Sequence, residues 1–99
     1  MAEGTIRISP EQMQSRASEC DTQAATLADV VSKMDTLLAN LQAEWEGKAS
    51  EAYAERYNAE FKPGLQRTQA MLEEIARALR QQAENMREID AAQANAIRG

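Results

Sequence analysis

The sequence predicts an all-α fold: an antiparallel two-helix hairpin that dimerises into an elongated four-helix bundle. Three observations predict it. Apolar residues recur at alternating steps of four and three over two long stretches. The stretches meet near the midpoint at Gly47. The composition is poor in aromatics, at 4%, and in breakers, with four Gly and two Pro among 99 residues. Ala, Glu, Gln, Leu and Arg dominate instead, as in long helices and coiled coils. The length suits one domain, residues 1–99.

The first helix is expected over about 10–44. Ser9-Pro10-Glu11-Gln12 is a start signal: Ser9 caps, Pro10 suits the first helical position and Gln12 completes a capping box. The seam then reads Met13, Ala17, Cys20, Ala24, Leu27, Val31, Met34, Leu38, Leu41 and Trp45. Val30 and Leu37 widen it beyond a narrow two-stranded stripe. A turn follows over about 45–48. Upstream of this helix, Thr5-Ile6-Arg7-Ile8 alternates but is too short for a sheet and reads as an extended lead-in.

The second helix is expected over about 49–94, with a flexible C-terminal tail. Its seam reads Phe61, Leu65, Thr68, Leu72, Ile75, Leu79, Gln82, Met86, Ile89 and Gln93. Tyr53, Tyr57 and Phe61 repeat every four residues and share one face. Pro63-Gly64 is the weak point. Pro63 has no N–H for the carbonyl of Ala59, so a kink is expected, with a full break as the alternative. At equal lengths the second helix passes the start of the first near Gln82, so everything from Ala83 onward should overhang.

Two helices side by side cannot bury stripes this wide, and a second layer is needed. Association of two hairpins supplies it, burying on the order of 1,500 Å² or more, the size of a stable interface. The expected hairpin and dimer seam comprises Met13, Leu27, Val31, Met34, Leu38, Leu41, Leu65, Leu72, Ile75 and Leu79. A homodimer is the simplest form; a heterodimer with a related chain satisfies the same pattern.

Several functions are disfavoured. The net charge is −5 and no basic stripe appears, so neither nucleic acid nor an anionic membrane is an expected partner. No apolar run reaches membrane-spanning length, and the N-terminus lacks the apolar core of a secretory signal peptide. There is no His, and the single Cys20 has no basic neighbour to activate it. No zinc cluster or phosphate loop is present, so no metal and no cofactor are expected, and no enzyme. A narrow hairpin also offers no deep pocket for a small-molecule substrate. The many carboxylates read as a solvated face.

The four aromatics, Trp45, Tyr53, Tyr57 and Phe61, gather beside the turn. Packing between the parting helices is the expected role, with docking as a compatible second one. Trp45-Glu46-Gly47 is a W-x-G motif, followed by Ala49 and Tyr53, at the middle of a chain of about one hundred residues. In this it resembles the WXG family, the early secretory antigenic target-like proteins exported by type VII (Esx-type) secretion. The start, Ile6-Arg7-Ile8-Ser9-Pro10-Glu11, is similar to members from Gram-positive bacteria.

The resemblance covers essentially the whole chain. It implies a hairpin that dimerises, and synthesis in the bacterial cytoplasm. It also implies export without a cleaved signal peptide, through a membrane ATPase that recognises the folded dimer. A role as virulence effector or as partner of the secretion machine would follow. Carried over, Trp45 and Gly47 form the turn part of the export signal, lying near the tail of the partner chain. Alanine at either position is then expected to impair export more than folding. In the tail, Met86, Asp90 and Ile97 match part of a hydrophobic-and-acidic signal, while Gln93 departs from it and no Tyr follows Tyr57. The alternative is a cytoplasmic coiled-coil adaptor or chaperone subunit in which W-x-G is coincidental.

Overall fold

A computed structural model describes residues 8–45 and 47–98 of the chain, with side-chain environments through residue 96. Helix α1 spans Pro10–Glu44. The Ser9 hydroxyl accepts from the Gln12 N–H at 3.2 Å, and the Gln12 side chain accepts from the Ser9 N–H at 2.8 Å. This capping box satisfies two of the donors that a helix start leaves open. The lead-in expected from Thr5 lies outside the described residues as far as Arg7.

After the turn the chain is helical to Arg98, in three pieces. Helix α2 covers Lys48–Arg56, a π-turn covers Tyr57–Phe61, and α3 covers Lys62–Arg98. Pro63 therefore does not break the helix. The chain widens just before it, with the Lys62 N–H bonding to the Tyr57 carbonyl five residues back. The last helix also continues beyond Ala94, where a flexible tail is expected. Ala91–Ile97 contains no breaker and is rich in alanine, the best helix former.

The helices pair antiparallel in a rod of 77 × 26 × 14 Å. Among the described residues, three ion pairs cross between them: Lys62 to Asp35 at 3.0 Å, Arg80 to Asp21 at 2.6 Å and Arg87 to Glu11 at 3.8 Å. Each is partly exposed and worth at most about 1 kcal/mol. Together they mark the register. The pairing reaches Arg87, so the overhang begins near Glu88 instead of Ala83. Met13 and Ala83 are both buried at this end, which places them inside the contact.

The core is built of small residues. Met13, Ala17, Ala24, Val31, Ala54, Tyr57, Ala76 and Ala83 are buried, and among the described residues no large side chain is fully so. Alanines at the contact let two helix backbones approach closely. Leu27, Met34, Leu38, Leu41, Leu65, Leu72 and Leu79 flank this line, half-buried. Cys20 is half-buried as well. Ile75 stays 39% exposed, while its neighbour Ala76 is buried. The large apolar residues of the second helix spread beyond its buried face, and the inner line passes through alanines that a search for large residues overlooks.

Candidate functional site

The site is an open apolar groove at the turn end. The first helix ends here because Trp45 and Gly47 leave helical geometry. Trp45 sits in extended backbone and still donates its N–H to the Leu41 carbonyl at 2.7 Å, which closes α1. Gly47 has φ 140° and ψ 169°. That region is essentially closed to side chains. The Ser50 hydroxyl, buried to 5% exposure, donates to the Gly47 carbonyl at 3.0 Å and pins the start of α2. Sequence reasoning missed Ser50; its spacing of three from the turn Gly is the signal that could have found it.

A Cβ at Gly47 would meet nothing within 4 Å. Gly47→Ala therefore strains the backbone alone, at an expected cost of about 1–3 kcal/mol. Folding is then affected at this position, whatever the substitution does to export. Urea unfolding followed by circular dichroism measures this; an unchanged midpoint would show that the turn relaxes freely.

The groove has a volume of about 580 Å³. Val30, Leu37, Trp45, Tyr53, Tyr57 and Phe61 are among the residues that line it, together with Arg56. The Trp45 and Tyr53 rings lie 6.2 Å apart, tilted by 35°. The Arg56 guanidinium stands 5.4 Å from the centre of the Phe61 ring, a cation–π contact that sequence reasoning did not anticipate. The rings do not fill the gap as expected for packing. Trp45 is 45% exposed, Tyr53 59% and Phe61 52%, and of the four only Tyr57 is buried. A groove forms where a narrow hairpin promised none, because the large rings stand along its walls.

Tyr57 carries a further anomaly. Its hydroxyl is buried and has no hydrogen-bond partner among the described residues. A buried unpaired hydroxyl costs roughly 1–3 kcal/mol. Tyr57→Phe should therefore raise the thermal midpoint by a few degrees, on the scale of about 4–8 °C per kcal/mol for a chain this size. A lower midpoint would show that the hydroxyl finds a partner in the assembled protein.

The tail residues lie far from this groove. Met86 is half-buried at the other end of the hairpin and Asp90 is exposed. Ile97 belongs to α3 by its backbone, and its side chain lies outside the described residues. Roughly 60 Å of helix separates Lys48 from Asp90 at about 1.5 Å per residue. One chain cannot bring turn and tail together.

Elsewhere the surface is ordinary. Lys33 is held above its usual value by the hydrogen bond its ammonium donates to Asp29 and by that carboxylate's charge, and neither residue lines the groove. Among the described residues no acidic or Cys cluster is placed to hold a metal, and no helix is long and apolar enough to cross a membrane.

Fold and turn together define a class: small helical hairpins whose tip carries Trp-x-Gly. The model of the WXG100 family, proteins of 100 residues with WXG, matches residues 5–91, and the chain belongs to that family. It is similar to Protein YukE of Bacillus subtilis, with 29% identity over 96 residues, covering 97% of this chain and 98% of the relative. An uncharacterized protein of Clostridium acetobutylicum is 26% identical over 92 residues, covering 93% and 95%. Among solved structures, the EsxA crystal structure from Geobacillus thermodenitrificans superposes with a TM-score of 0.83 at 26% identity, covering 91% of this chain and 97% of that one.

Proposed function

We propose that this protein is a substrate of a type VII (Esx-type) secretion system, exported as a homodimer without a cleaved signal peptide. The observation that carries the reading is the unfinished core. Val30, Leu37, Trp45, Tyr53, Phe61, Met71, Ile75 and Ile89 are exposed large apolar residues on a chain whose own core is mostly alanine. A surface like this marks an interface. A second copy presents the same stripe, and two such stripes enclose a core of four helices.

Membership of the WXG100 family and the likeness to EsxA support the route of export. In the antiparallel dimer, the Trp45–Gly47 turn of one copy lies near Met86, Asp90 and Ile97 of the other. The membrane ATPase then reads turn and tail as one composite signal, and the dimer is the exported unit. After export the protein acts by protein–protein association, as an effector or as a partner of the machine.

The test is fractionation in the native host. The tagged chain should appear in the medium when the type VII ATPase is intact and stay in cells when it is inactivated. Retention in cells with an active ATPase would favour the cytoplasmic adaptor.

A further inference from the structure

The second helix carries two heptad phases that differ by one residue. Counting back in sevens from Ala83 and Ala76, the inner line of α3 passes Gln69 and Lys62 and arrives at Glu55. The parallel line from Met86 through Leu79, Leu72 and Leu65 arrives at Asn58. Glu55 and Asn58 are exposed. The buried residues are Ala54 and Tyr57, each one position earlier. The outer line behaves in the same way. Ile89, Gln82, Ile75, Thr68 and Phe61 follow in sevens, and the next step would be Ala54. The exposed ring there is Tyr53.

The slip falls at the π-turn Tyr57–Phe61. A turn closed by bonds to the fifth residue holds one residue more than an α-turn. One extra residue corresponds to about 100° of helix rotation. We propose that this turn is a phase shifter. It keeps two faces of the second helix continuous at once: the inner face against α1, and the outer apolar row offered to a second copy. Pro63 fixes its position, because an α-turn ending there would lack one bond and press the ring on the Ala59 carbonyl. An unbroken α-helix of the same length would turn Glu51, Glu55 and Asn58 toward α1, in place of Ser50, Ala54 and Tyr57. The outer row would then lose Tyr53 from its upper end. The claim about the outer row rests on the dimer proposed above; the claim about the inner face does not.

Two deletions of equal size test it. Removing Ala59 together with Pro63→Ala takes out the extra residue and lets a regular α-helix run in one phase. Removing Ala70, also exposed and inside α3, throws the two parts of the helix out of phase. The expected result is an Ala59-deleted variant that melts at or above the wild-type midpoint and keeps the wild-type mass in light scattering. The Ala70-deleted variant should melt lower by roughly 10 °C or more. Equal losses from both deletions would overturn the phase shifter. A folded but monomeric Ala59-deleted variant, beside a dimeric wild type, would overturn its service to the outer row. A monomeric wild type would defeat the proposed dimer, and the comparison of midpoints would still decide the inner face.

Discussion

Ile75→Glu is expected to dissociate the dimer into single chains. Ile75 is 39% exposed in the hairpin, while its neighbour Ala76 is buried. The dimer proposed above buries it against a second copy. A carboxylate there would lose its hydration without gaining a partner, at a cost of at least about 3 kcal/mol per copy. Each 1.4 kcal/mol is about tenfold in affinity, so the dissociation constant should rise by two orders of magnitude or more. Sedimentation at micromolar concentration measures it. Helicity should fall with the dimer, because an alanine core of one hairpin is small for an independent fold. A variant that kept the wild-type mass would place Ile75 outside the interface.

Trp45→Ala should leave the fold largely in place and stop export. The ring is 45% exposed, and its ring neighbour is Tyr53. Losing that contact costs roughly 1 kcal/mol, since the buried line from Met13 to Ala83 does not include it. Export should fall at least tenfold if the turn forms half of the signal. The ratio of protein in the medium to protein in cells gives the answer, with a melting curve of the purified variant as the control for folding. Normal export would remove Trp45 from the signal and leave it a surface residue.

These two substitutions separate what the turn does from what the face does. Both residues are apolar and exposed. The charge at Ile75 acts on assembly, while the truncation of Trp45 acts on recognition. A variant failing in both assays would show that export requires the dimer, which Ile75→Glu measures in turn.

The hairpin was legible because its signals are local or periodic. Ser9, Pro10 and Gln12 specify the start of α1, and ten apolar positions in heptad steps specify its face. Gly47 marked the turn through a conformation that other residues avoid, φ 140°. The inner face of α3 was less legible. Ala76 and Ala83 are buried because they are small and let the backbones approach, and small residues leave little trace in a hydrophobic pattern. Phe61 and Ile75 drew the seam toward the outer face.

The π-turn was hidden for another reason. Pro63 announces trouble, but a kink, a break and a widened turn all answer its missing N–H. The choice depends on whether Ala54 and Tyr57 can keep facing α1, which is a tertiary matter. The groove follows from the same cause. Aromatics beside a turn suggest packing, yet Arg56 and the exposure of three rings emerge only once the directions of α1 and α2 are fixed.

The most direct test of the account is the solution mass of the purified chain across a dilution series, by light scattering with circular dichroism in parallel. A highly helical species of twice the 11.0 kDa chain mass is expected. Helicity should be lost as dilution dissociates it. A stable, fully helical monomer at every concentration would contradict it, since the exposed apolar stripe would then need no second copy.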